Sequence, residues 1–193
     1  MAAGKNIRAF LAIEPPEEVL AAVMRLQEKL KGEVAGKVGW TRPQGNHLTL
    51  KFFGDIDNTD VEKIGAVVKF HISAVTSLLL KIEKIGVFPD LRRPRVIWAG
   101  TTGDTEKLTM LQNKLDVDFA GLGFPPENRP FRAHLTLGRI KVPHGLAGIG
   151  EAIKKLSDFK AGEFRAAELI LFQSQLTPHG AIYTKLEKFP FCN

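Results

Sequence analysis

Two stretches of this chain carry the same four letters: His47-Leu48-Thr49-Leu50 and, a little under half the chain later, His134-Leu135-Thr136-Leu137. In a strand, side chains alternate faces, so each copy sends a histidine and a threonine one way and two leucines the other. Each copy therefore offers an imidazole and a hydroxyl on one polar face, about 6.5–7 Å apart along the strand. Two imidazoles facing one substrate can divide proton work, because histidine titrates near pH ~6.5. Opening a phosphodiester with water needs a base for the water and an acid for the departing alkoxide, on opposite sides of phosphorus. The two hydroxyls can donate to the phosphoryl oxygens. A metal centre fits poorly: two His and two Thr are weak zinc ligands, and no Cys or acidic cluster accompanies them.

The surroundings favour an anion. Between Thr41 and Gly54 there is no acidic residue, but Arg42 and Lys51 are present. Between Asn128 and Pro143 there is again none, against Arg129, Arg132, Arg139 and Lys141. In a regular strand Arg132 shares the face of His134, whereas Arg139 has the wrong parity unless Gly138 forms a bulge or the strand ends there. Phe53 shares parity with His47 and Thr49, so it can either line a cleft beneath a nucleobase or pack. Arg92, Arg93 and Arg95 sit at a hairpin turn, as RNA contacts or as a solvated turn. His71 reads as packing at a helix end, His144 and His179 as exposed turn residues, Trp40 and Trp98 as core.

The elements that must hold these residues follow from periodicity. An apolar strand spans Lys5 to Glu14. Pro16 then opens a helix with Leu20, Val23, Leu26 and Leu30 on one side, stopped by Gly32. A short strand at Gly36–Trp40 and a loop lead into the first motif strand, which runs to about Gly54. Thr59-Asp60-Val61-Glu62 predicts a capping box for the next helix. Strands at Leu78–Phe88 and Arg95–Thr101 flank a Pro-bounded turn, and Asp104 or Thr105 caps a helix bearing Leu108, Leu111, Leu115 and Phe119. After the second motif come a glycine-weakened helix around Leu146–Leu156 and three strands near 159–166, 168–176 and 181–189.

The halves, about 1–93 and 94–193, match as a duplication with one His-x-Thr motif each. The expected fold class is α+β: a single bilobal domain of two pseudo-symmetric lobes, each an antiparallel-rich sheet with outer helices, and the site in the cleft between them. Hydrophobic content of 44% and charged content of 25% are ordinary for a globular protein. A net charge of +6 favours an anionic partner, with nucleic acid first. One cysteine, Cys192, permits no internal disulfide and suits a reducing cytoplasm. No run is apolar and long enough to span a membrane.

Paired His-x-Thr motifs in a duplicated α+β chain resemble the two-histidine phosphoesterase superfamily, and within it the RNA 2′,3′-cyclic phosphodiesterases, also called 2′-5′ RNA ligases. The likeness is carried by Ile7–Glu14, by Asn46–Gly54 and by Phe131–Gly138 with Arg139, and covers nearly the whole chain. Ala133 departs from it, since relatives often carry proline there. The resemblance implies that His47 is the proton donor to the leaving 3′ oxygen and His134 the base that activates water. It further implies that Thr49 and Thr136 bind phosphate oxygens and Arg139 binds substrate. The implied product is a 2′-phosphomonoester, made without metal or other cofactor. The expected partners are RNA ends bearing a 2′,3′-cyclic phosphate, tRNA fragments among them, handled by a cytoplasmic monomer. The same site can instead join such an end to a 5′-hydroxyl, or a basic cleft can bind RNA without turnover.

Overall fold

The computed structural model describes residues 6–142, 146–178 and 180–192. In chain order the elements are β1 (Ile7–Ile13), α1 (Glu17–Glu33), β2 (Val38–Trp40), a 3-10 turn (Pro43–Gly45), β3 (Leu48–Ile56), α2 (Asn58–Ile72) and β4 (Leu78–Phe88). There follow β5 (Val96–Gly103), α3 (Thr105–Gly121), β6 (His134–Ile140), α4 (Ile149–Lys155), β7 (Lys160–Ala166), β8 (Glu168–Thr177) and β9 (Gly180–Pro190). The strands form one curled antiparallel sheet in the order β7-β4-β5-β6-β3-β1-β8-β9, with β2 added on β6. The architecture is the expected α+β class, with a pseudo-twofold centred between β6 and β3.

The lobes do not coincide with the sequence halves. β4, from the first half, lies beside β5 and β7, while β8 and β9, from the second, lie beside β1. Each half thus completes its sheet with strands from the other. Sequence periodicity identifies strands but not their neighbours, so this exchange was invisible to it.

One face of the sheet is covered by helices. Ala9, Leu11 and Ile13 of β1, Leu48 and Leu50 of β3, and Leu135 and Leu137 of β6 join the helices in one large core. The alternate residues Phe10 and Ala12 turn the other way into a small cluster with Ile170, Phe172 and Tyr183. The motif leucines therefore point into the main core, which frees the opposite face of the same strands.

β3 and β6 meet at only one residue pair, Leu48 opposite Leu135. Three further hydrogen bonds brace that junction. The buried Gln27 of α1 donates through Nε2 to the Thr41 carbonyl at 2.9 Å and to the Leu137 carbonyl at 2.7 Å. The Thr41 amide donates to the same Leu137 oxygen at 2.9 Å. That bond continues the β2–β6 ladder by one residue past Trp40 and Gly138. On its other edge β6 bulges at Leu137: Gly138 faces Ile97 and Thr136 faces Trp98, so Leu137 is skipped.

The box capping α2 is built two residues earlier than Thr59. Asp57 is the N-cap, accepting from the amides of Thr59 and Asp60, and Asp60 returns the bond to the Asp57 amide. A carboxylate reaches orphan amides as well as a hydroxyl does. Asp104 precedes α3 but makes no capping bond; it accepts from the Leu79 amide instead, tying α3 to β4.

Gln27→Leu keeps the side-chain volume but leaves the Thr41 carbonyl without its amide donor. The expected cost is about 1–3 kcal/mol, read from the urea midpoint. An unchanged midpoint would remove Gln27 from the junction.

Candidate active site

Antiparallel neighbours that face each other lie on the same side of a sheet. Continuing the Leu48–Leu135 register by one step each way sets His47 opposite Thr136 and Thr49 opposite His134. Other pairings agree. Thr49 faces Ala12, of the small aromatic face, and Thr136 faces Trp98. The two motifs thus set their polar side chains on one face of the sheet, the imidazoles diagonal to each other across the Leu48–Leu135 bridge.

Each imidazole has an aromatic seat. His47 follows the 3-10 turn and is only 8% exposed. Its ring lies 4.5 Å from Phe172, 5.1 Å from Tyr183 and 5.5 Å from Phe10, centroid to centroid. Among the described residues none hydrogen-bonds to it. His134 opens β6, with its ring edge-on to Phe88 at 5.1 Å, and Phe88 in turn tilts on Trp98 at 5.2 Å. The Nδ1 of His134 lies 2.7 Å from the Arg132 carbonyl. A carbonyl can only accept, so Nδ1 carries the hydrogen and the neutral ring keeps its lone pair on Nε2.

Burial depresses both imidazoles. For His47 desolvation is the main cause, partly opposed by the Glu14 carboxylate and reinforced by Lys185, and its pKa falls to about 4. For His134 burial also leads; the bond to the Arg132 carbonyl works against it and the Arg139 charge works with it. Both rings are therefore neutral at pH 7, and an anion between them would draw protons onto them. Glu14 and Lys185 form an ion pair and, with Gln44 and Tyr183, line a cavity of about 280 Å³ beside His47. A larger cavity of about 380 Å³ opens between α1 and the α4–β7 connection, and no histidine lines it.

Arg139 reaches the cleft face because of the bulge at Leu137: it faces Val96, two residues before Trp98 on β5. Its charge acts on both His134 and Tyr183, and Tyr183 touches His47, so Arg139 influences groups on both sides of the cleft. Arg132 precedes β6, so strand parity does not govern it. Its guanidinium lies over the Phe88 ring, 5.9 Å from the centroid.

Phe53 does not line the cleft. It packs edge-on against Phe119 at 4.9 Å and Phe124 at 5.1 Å on the helix side. The expectation assumed an unbroken strand, but β3 bulges at Leu50: Ala12 faces Thr49 while Leu11 faces Lys51. One extra residue inverts the parity beyond it. Phe52 takes the cleft position, opposite Phe10 with ring centroids 5.6 Å apart, and is 52% exposed. Lys51 turns inward, bonding Asp116 at 2.5 Å and the Pro125 carbonyl at 2.6 Å. That ties the first motif strand to the loop leading into the second.

The remaining histidines lie elsewhere. His71 pairs with Asp118 at 2.7 Å between α2 and α3; His144 and His179 lie outside the described residues. Trp40 flanks Gly138 and Trp98 covers Gly86, both half-buried. Sequence reasoning missed Phe10, Phe88, Phe172, Tyr183, Glu14 and Lys185 as neighbours of the imidazoles. Phe10 alone left a signal, as the large inward residue of a strand apolar on both faces. Among the described residues no three His, Cys, Asp or Glu side chains cluster as metal ligands would, and no helix is long and apolar enough to cross a membrane.

A family model described as LigT-like phosphoesterase matches residues 13–98 and 102–183. A protein of Methanothermobacter thermautotrophicus named RNA 2′,3′-cyclic phosphodiesterase is 38% identical over 184 residues, 95% of this chain and 98% of its own. One of the same name from Methanocaldococcus jannaschii is 32% identical over 95% of this chain and 100% of its own. Among solved structures, a Thermus thermophilus protein superposes with a TM-score of 0.80 at 28% identity, covering 96% of this chain and 98% of its own. Escherichia coli LigT complexed with 3′-AMP shares the fold, with a TM-score of 0.77 at 24% identity over 98% of this chain and 100% of its own.

The depressed His47 has a consequence for stability. Its folded pKa lies below the unfolded value, so between about pH 6.5 and 4 the unfolded chain binds more protons and stability falls as pH falls. At pH 5 the cost is about 2 kcal/mol. His47→Gln should lose correspondingly less stability between pH 7 and pH 5 in urea titrations. Equal losses in both proteins would contradict the burial account.

Proposed function

The chain belongs to the LigT-like phosphoesterase family, and from that premise we propose that it is an RNA 2′,3′-cyclic phosphodiesterase that leaves a 2′-phosphomonoester. The observation that carries the reading is the convergence of two His-x-Thr units on one face, across a single antiparallel bridge. The relatives' names supply the substrate class.

The cyclic phosphate lies between the imidazoles, its free oxygens held by the Thr49 and Thr136 hydroxyls and the Arg139 guanidinium. Water enters on the His134 side. Its oxygen bonds to phosphorus as Nε2 of His134 takes its proton. The bond to O3′ breaks on the opposite side, and His47 gives that oxygen a proton. The phosphate then stays on O2′. Proton exchange with solvent restores both rings, so the cycle consumes one water and nothing else. His134 suits the base role because its Nδ1 hydrogen is committed to the Arg132 carbonyl, which leaves Nε2 to accept. His47 acquires its proton when the phosphate anion docks, with Glu14 assisting. Phe52 offers an exposed ring on the cleft face for the nucleobase. The donor set of two imidazoles, two hydroxyls and a guanidinium supports chemistry without a metal ion.

Three measurements test this. Turnover of a cyclic-phosphate dinucleotide in EDTA, with the product end identified, should yield 2′-phosphate. Retention at the 3′ oxygen would reverse the placement of acid and leaving group. His47→Ala and His134→Ala should each lower kcat by about 10²–10⁴-fold with the fold intact; near-normal turnover in either rejects the roles. Because burial holds both imidazoles below their ordinary value in the free protein, kcat/KM should peak below pH 6.5. A maximum above pH 7.5 would mean other groups titrate.

A further inference from the structure

The ion pairs divide by residue type. Among the described residues every one is made by a lysine or by His71, and no arginine has a carboxylate partner. Six of these unpaired arginines, Arg92, Arg93, Arg95, Arg129, Arg132 and Arg139, are exposed and belong to the His134 side of the sheet. Guanidinium is the group best suited to phosphate, through its planar fork and weak hydration.

Three of them ride on one fixed turn. Residues 89–95 join β4 to β5, and the Arg95 amide closes the base of that turn on the Phe88 carbonyl at 2.7 Å. Asp90 spends one carboxylate oxygen inside the turn, on the amides of Arg92 and Arg93 at 2.8 and 3.1 Å. Pro94 is buried beneath. The turn is therefore a built platform rather than a loose loop, and both its ends touch the site. Phe88 seats His134 and carries Arg132, while the Arg95 carbonyl accepts from Ile140, next to Arg139.

We propose that the β4–β5 turn is a backbone-binding lip: single-stranded RNA upstream of the cyclic end leaves the cleft past Arg139 and lays its phosphates on Arg92, Arg93 and Arg95. The inference rests on the phosphodiesterase reading and adds the path of the RNA body. The contacts go to phosphates only, so they confer length dependence and salt dependence without sequence preference.

The test compares wild type with Arg92→Gln/Arg93→Gln on two substrates. One is a dinucleotide ending in a 2′,3′-cyclic phosphate; the other is a single-stranded decamer with the same last two nucleotides. Wild type should prefer the decamer by about tenfold or more in kcat/KM at low salt, with the preference fading as salt rises. The double variant should lose that preference while turning over the dinucleotide within about twofold of wild type. Its slope of log binding constant against log salt for the decamer should be shallower by about 1.4, the share of two single-strand contacts. A decamer preference that survives in the variant, or one absent from wild type, overturns the lip. An equal loss on both substrates also overturns it, because the turn would then act through His134. A duplex-ended substrate that gains as much as the decamer would make the ligand a helix instead and overturn the single-strand path. If wild type leaves the dinucleotide untouched, the phosphodiesterase reading fails; anisotropy of a labelled decamer still tests the lip, which a slope unchanged by the double substitution overturns.

Discussion

One backbone bridge, Leu48 to Leu135, governs the molecule. It joins β7-β4-β5-β6, with β2 on its flank, to β3-β1-β8-β9 and does so where the two copies of the motif cross. Antiparallel pairing allows only one outcome for side chains there. If the leucines enter the core, the histidines and threonines share the opposite face, arranged about a local twofold. A register slip of one residue on either strand would bury one motif's polar pair and expose its leucines. The burial of Leu48, Leu50, Leu135 and Leu137, each at most 3% exposed, opposes that slip. Hydrophobic packing on one side of the sheet thus fixes where the histidines and threonines stand on the other. Gln27 and Thr41 add hydrogen bonds to the same junction from outside the motifs.

The aromatic seats follow from the same logic. A ring held against Phe172 and Tyr183, or against Phe88, is fixed in orientation but desolvated. Desolvation keeps each imidazole neutral until an anion arrives. In the proposed reading, a neutral pair bordered by arginines without carboxylate partners couples its protonation to the binding of phosphate. Glu14 and Lys185 adjust that coupling on the His47 side and Arg139 on the His134 side. The two histidines are related by fold symmetry but sit in unlike surroundings. Only one has its Nδ1 hydrogen committed to a backbone carbonyl. That difference is a physical basis for giving them different proton roles.

Much of this was legible in the sequence. The four-letter repeat, its leucine parity and the clearance of acidic residues around it pointed to the face that the structure forms. β4 runs over Leu78–Phe88 as its alternation predicts. The arrangement of lobes was not legible, because strand exchange is set by long-range pairing. Nor was the side of Phe53. Parity is a reliable guide only while a strand is regular, and β3 skips a residue at Leu50 and again at Phe53, with Phe53 on the core side and Phe52 on the cleft side. Another bulge, at Leu137, delivers Arg139 to the face that plain parity denies it. Bulges leave little trace in a sequence because any residue type can occupy them. Here they decide which side chains stand on the cleft face. Tyr183 and Lys185 come from β9, so far along the chain that only the folded sheet reveals them as neighbours of His47.

The central claim is that one phosphate is shared by two imidazoles remote in sequence. Imidazole ¹⁵N NMR, recorded while the protein is titrated with adenosine 2′-monophosphate, addresses it most directly. The account predicts that His47 and His134 respond together, with the same midpoint, and that both gain protonation as the phosphate binds. A response confined to one ring, or two responses with separate midpoints, would contradict it.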